Sequence, residues 1–134
     1  AASDVYKRQI YGKSLNIESN YVRNRATIDG YNNTISAANG ILNEGQISAG
    51  GDLTLKTLNH ANITNYNTIK ANGSLTMTTG TVKNGGYRCG FLNLATCGKG
   101  SISANKLVLN SYHNYASEMG GQQQYKYAEI NTIR

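Results

Sequence analysis

The sequence predicts an all-β chain, a β-solenoid of about five rungs interrupted once by a hairpin-like insert. Three observations carry that expectation. A frame of β-branched residue, any residue, Asn, three residues and Ile recurs at intervals of about twenty residues. Each copy leads into short runs in which apolar and polar residues alternate. Asn, Gly, Thr and Ser dominate, Pro and Trp are absent and only 15% of residues are charged. That composition excludes a coiled coil and argues against a helical bundle, for want of good helix formers. Disorder is the competing reading, but disordered segments do not hold Ile and Leu at fixed spacing.

The first nine residues, AASDVYKRQ, share nothing with the repeat and read as a non-native leader. The solenoid is expected over residues 10–110. "LNI" at 15–17 matches the apolar pair that heads later units, and the Asn frame then reads "VRNRATI" at 22–28, "ILNEGQI" at 41–47 and "ITNYNTI" at 63–69. At Val82 it opens again as "VKN" and is completed only at Ile102, after fourteen additional residues. Asn24, Asn43, Asn65 and Asn84 are thus spaced by 19, 22 and 19 residues. A second frame overlaps the first: "ISAGGDLTL" (47–55) and "IKANGSLTM" (69–77) nearly superimpose, and "ISANKLVL" (102–109) is one residue shorter. "TISAANG" at 34–40 fits least well.

Each unit is two or three short strands set apart by Gly, Asn or Asp turns. A strand such as "LTLKT" buries two or three side chains, too few to be stable alone. Stacking resolves this: Leu53 over Leu75 and Ile47 over Ile69 become a continuous core, with rungs about 4.8 Å apart. The four asparagines fall where the chain must bend. Asn there tolerates left-handed backbone angles, and stacked Asn amides can hydrogen-bond from rung to rung as a ladder. The Gly pairs at 50–51 and 85–86 serve as turns.

The stretch "GQISAGGDLTLKTLNHANITNYNTIKANGSLTM" resembles the haemagglutinin repeats of filamentous haemagglutinin and related exoproteins of two-partner secretion. That group includes the stalks of contact-dependent growth-inhibition toxins. The matching positions are Gly45, Ile47, Ala49, Gly50, Leu53 and Leu55, then Asn65, Ile69, Ala71, Leu75 and Met77. The likeness is good from about 34 to 84, returns at 100–109 and is loose before 33. It implies a right-handed parallel β-helix, exported unfolded through an outer-membrane two-partner secretion transporter and displayed at the bacterial cell surface. The N-terminus has no apolar core with a cleavage site, so an export signal is expected in a domain far upstream.

The insert, "GGYRCGFLNLATCG" (85–98), leaves the repeat after Asn84 and returns to it in phase, so its ends must lie close together. A hairpin does that, with Cys89 and Cys97 near its two arms. A disulfide across them is geometrically feasible, contributes about 2–3 kcal/mol by the loop-closure model, and agrees with an oxidising compartment. Two unrelated thiols are the alternative. Two Cys with seven residues between them, and His60 and His113 remote, do not make a zinc pattern, and no base is designated for a catalytic cysteine. Tyr87, Arg88, Phe91 and Leu92 are contact-prone types on a projecting loop. The other reading is that Phe91, Leu92 and Leu94 fold down over the side of the helix.

The tail at 111–134 abandons the repeat. "GGQQQ" reads as a flexible turn, and "YKYAEINTI" as either one more strand capping the last rung or a ragged edge.

Function classes narrow accordingly. The net charge of +6 is scattered, with no basic run and no RNA-binding signature, so no nucleic acid partner is expected. It gives either a general attraction to anionic surfaces or a merely solvated face. No apolar run is long enough to span a membrane. Asp29, Glu44 and Asp52 fall at turns of different rungs, so the paired carboxylates of a glycosidase are missing. No metal, cofactor or catalytic residue is expected. The reading is a non-catalytic stalk segment, or else an adhesive module meeting a cell-surface receptor or glycan through the insert.

Overall fold

The computed structural model describes residues 9–58, 61–112 and 121–133. Period-two alternation gives each run one inward and one outward face, and laying the runs in parallel buries the inward faces together. The strands are β1 (Gln9–Ser19), β2 (Val22–Asn24), β3 (Thr27–Ala37), β4 (Ile41–Asn43), β5 (Gln46–Ala49), β6 (Leu53–Thr57) and β7 (Asn62–Asn65). They continue as β8 (Thr68–Ala71), β9 (Ser74–Thr79), β10 (Thr81–Asn84), β11 (Tyr87–Cys89), β12 (Ala95–Cys97), β13 (Ser101–Tyr112) and β14 (Gln122–Ile133). Among the described residues there is no α-helix. Strands β1–β2, β3–β4, β5–β7, β8–β10 and β13 form successive coils of a β-solenoid of about five turns, and β14 lies along β13. Among the described residues every pairing between coils is parallel, and β11 and β12, within the insert, pair antiparallel.

Register turns the repeat into columns. Ile28, Ile47, Ile69 and Ile102 stack directly, as do Leu53, Leu75 and Leu107, and Leu55, Met77 and Leu109. Val22, Ile41, Ile63 and Val82 form the column of the smaller sheet. All are essentially excluded from solvent. A short polar column closes another edge, where one of the Thr57 and Thr79 hydroxyls donates to the other at 2.6 Å and the accepting one is free to donate to the Ala61 carbonyl.

One residue of spacing decides how each coil turns its corner. Between the Ile and Leu columns, Ile47–Leu53 and Ile69–Leu75 are six apart; there the strand breaks into β5–β6 and β8–β9 around a turn. Ile102–Leu107 are five apart, and β13 runs through unbroken. β3 does the same, since Asn33, five residues after Ile28, takes the Leu53 position of its coil. That puts an amide in a leucine column: Asn33 is 2% exposed, and its Oδ1 has no hydrogen-bond partner.

Three expectations need correction. The asparagines of the repeat do not adopt left-handed angles; each is the last residue of a strand, and the positive-φ non-glycine residues described are Leu92 and Asn93. Gln122, Gln123 and Gln124 are strand rather than turn, because backbone pairing with Ser101, Ile102 and Ser103 outweighs their weak β propensity. Gln9, assigned to the leader, already pairs with Thr27. The remainder of that leader, residues 113–120 of the tail, and both histidines lie outside the described residues.

Candidate functional site: the stapled hairpin and its asparagine mooring

A primary amide carries a donor and an acceptor on one planar group, so identical amides one coil apart can bond in series. Asn24, Asn43, Asn65 and Asn84 do so. Asn24 Nδ2 donates to Asn43 Oδ1 at 2.9 Å, Asn43 to Asn65 at 2.8 Å and Asn65 to Asn84 at 2.9 Å. The same Nδ2 atoms also reach backbone carbonyls, those of Gln46, Thr68 and Ser101, while Asn84 Nδ2 donates to Gln122 O at 3.0 Å. Each Oδ1 of the first three accepts the amide hydrogen two residues on, which fixes the bend. The bend is so tight that a Cβ on Gly45 would run into the Ala26 carbonyl.

The insert leaves and rejoins the solenoid at this corner. Gly85 N donates to Asn65 O, Gly100 N to Gly85 O at 2.8 Å, and Lys99 N to Tyr66 O at 3.0 Å, so the base is closed by backbone bonds. Gly98 has φ +79, and a Cβ on it would press against Tyr66, so glycine is required where the return arm meets the coil. Above the base, Tyr87, Arg88 and Cys89 pair with Cys97, Thr96 and Ala95. The Cys89–Cys97 disulfide runs diagonally across this ladder, with Cα atoms 5.9 Å apart.

Between the arms the chain makes two overlapping tight turns over Gly90–Leu94, with Leu92 at φ 56 and Asn93 at φ 53, both left-handed. Asn93 N donates to Gly90 O and Leu94 N to Phe91 O, so the turn is internally bonded. Its apolar side chains point away from the solenoid: Phe91 is 84% exposed, Leu92 73% and Leu94 77%. The expectation that these residues fold down over the helix is therefore overturned. The turn aims them outward, and the short stapled arms hold them off the coils. Tyr87 behaves differently, its ring resting on Tyr66 with centroids 4.7 Å apart. It is a mooring residue as well as a partly exposed one.

The carboxylates near the repeat are engaged structurally. Glu44 accepts from Arg23 at 2.7 Å and Arg25 at 3.3 Å, and the Arg23 hydrogen bond, against some desolvation, holds its carboxyl below the usual glutamate value. Asp29 accepts from Ser48 Oγ, and Asp52 Oδ1 from the Ser74 amide. Two open grooves flank the last coils. One, of about 480 Å³, is lined by Lys70, Ser103, Gln124, Tyr125 and Lys126 among others, and the second, of about 380 Å³, lies at the glycine-rich base of the hairpin beside Lys99. Neither is lined by a carboxylate. Among the described residues no three His, Cys, Asp or Glu side chains gather into a metal-binding group, and no helix is long and apolar enough to cross a membrane.

Reading the spacing missed the charge distribution around the hairpin. No Asp or Glu occurs between Asp52 and Glu118, while Lys56, Lys70, Lys83, Arg88, Lys99 and Lys106 all fall there. The insert and the coils that carry it are cationic throughout. Comparison with family models, with curated proteins and with solved structures returns no match.

Proposed function

We propose that the chain is a stalk segment of a secreted bacterial surface exoprotein of the filamentous-haemagglutinin type, exported through an outer-membrane two-partner secretion transporter and performing no catalysis. The observation that carries this reading is the register. Successive coils place apolar residues and Asn in the same columns, with Asn33 as the exception in the leucine column, and Asp29, Glu44 and Asp52 make structural contacts between coils. A rod made of such units sets distance and direction. It needs no reacting groups, and further coils lengthen it without new chemistry. Exchanging residues 46–84 for two coils of foreign sequence and equal length tests the proposal. A spacer keeps surface display and whatever activity lies at its tip, whereas a module with chemistry of its own loses it.

The hairpin supports a second reading, an adhesive module within that stalk. Three large apolar side chains exposed on a stapled projection contribute nothing to the core beneath them. Alanine at Phe91 and Leu92 in the surface-displayed protein should abolish attachment to target cells while leaving display intact. Undiminished attachment would leave only the spacer.

A further inference from the structure

Resting on the adhesive reading of the hairpin, we propose that its tip docks on an anionic lipid bilayer, with Phe91, Leu92 and Leu94 entering the headgroup–acyl boundary and Arg88 and Lys99 meeting the lipid charge. Several features fit this partner. The apolar residues are 73–84% exposed and lie on the narrow turn at the far end of the hairpin from the solenoid. A protein partner ordinarily needs about 800 Å² of fitted surface on each side, more than three side chains on a narrow turn provide. A fluid bilayer accepts a knob without a matching pocket.

Part of the tip backbone suits the same environment. Polar amides entering an apolar layer are costly unless already bonded. Here Asn93 N and Leu94 N bond within the turn, and the arms bond to each other. Leu92 sits at φ 56, a conformation unfavourable for a branched residue, within a turn closed by the disulfide on its two arms. That conformation turns Leu92 outward.

Charge selects the kind of membrane. Six cationic residues and no acid lie between Asp52 and Glu118, the stretch that contains the whole hairpin. Basic residues beside an inserted apolar group are attracted to an anionic leaflet, and the attraction weakens with salt.

The test uses the full oxidised chain and sedimentation with vesicles of pure phosphatidylcholine or of equal parts phosphatidylcholine and phosphatidylglycerol. Binding should favour the anionic vesicles and fall with added salt. Phe91→Ser with Leu92→Ser should weaken it by at least about tenfold, the scale expected for withdrawing large apolar side chains from an apolar phase. Arg88→Gln with Lys99→Gln should weaken it and flatten its salt dependence. Because the chain has no Trp, Phe91→Trp supplies a lone indole, whose emission should shift to the blue on anionic vesicles and be quenched by brominated lipid. Absence of binding, equal binding to neutral vesicles, or binding indifferent to Phe91 and Leu92 overturns the proposal. If attachment to cells still depends on the tip while vesicles are ignored, a protein or glycan is the partner; the lipid proposal falls and the adhesive reading stands. Loss of both dependences removes the two together.

Discussion

Asn65 sits inside the asparagine column and makes five side-chain hydrogen bonds. Its Oδ1 accepts from Asn43 Nδ2 and from the Asn67 amide, and its Nδ2 is shared among Asn67 O, Asn84 Oδ1 and Ser101 O. Asn65→Ala should cost about 2–4 kcal/mol, since it removes these bonds and orphans buried partners. Asn65→Asp should cost more although it is nearly isosteric, because a carboxylate would face three acceptors with no hydrogen to offer. Asn24→Ala, at the end of the column, should cost less than either. Urea unfolding of the three variants ranks them, and an Asp variant as stable as wild type would refute the donor role. Asn33 makes the opposite case. Its buried Oδ1 is unpartnered between Leu15 and Leu53, so Asn33→Leu should stabilise the chain by about 1 kcal/mol despite losing the 2.6 Å bond to Ser48 O. The column was legible because a fixed phase of one residue type survives in sequence. Asn33 was not, because nothing in "YNNTIS" tells an inward Asn from an outward one until the corner geometry is known.

At the scale of elements, the alternating runs and their register could be read because period two admits one burial pattern, and slipping by a residue would turn every Ile and Leu outward. The shortened unit at 102–109 was visible as well, but its consequence, one unbroken strand through the corner, depends on backbone geometry shared with neighbouring coils. β14 was harder. Gln123 takes the inward position over Ile102, where the repeat would place an apolar residue, and the other inward positions include Tyr125 and Ile130, the latter 68% exposed for want of a coil above it. The hairpin could be anticipated from its phase and its cysteines, whereas the direction of its tip depended on two residues with positive φ in a row. Its base is closed by bonds that do not involve sulfur. Cys89→Ser with Cys97→Ser should therefore leave the circular dichroism of the solenoid unchanged. It should raise amide exchange in residues 87–97, and any loss of global stability should not exceed the roughly 2–3 kcal/mol of the loop-closure model. Collapse of the whole strand signal would contradict a separately moored hairpin.

Taken as a whole, the molecule is joined across its coils mainly by amides, hydroxyls and apolar columns, which do not titrate, with the carboxylates of Asp29, Glu44 and Asp52 adding contacts nearer the surface. Its response to pH should be correspondingly small. Glu44 is the carboxylate held down by a neighbour, chiefly Arg23, so its contribution is complete above the usual value of 4.5 and is lost as pH falls through the lowered folded value. Because this ion pair lies at the surface, the loss should be under about 1 kcal/mol. Glu44→Gln should remove the acid dependence over that window. At the alkaline end, burial pushes Tyr125 up to about 12, so stability should decline as pH rises from about 10 towards that value. Thermal melts across the pH range check both limbs, and a steep loss of several kcal/mol near pH 4 would mean that charge carries more of the structure than these contacts indicate.

The asparagine column also has a direction. Each Nδ2 from Asn24 to Asn84 offers its hydrogen towards residues later in the chain. A polypeptide that emerges head first would leave, after every finished lap, a donor waiting for the segment still to come. The newest lap would then act as a template for its successor, and winding would advance one way along the rod.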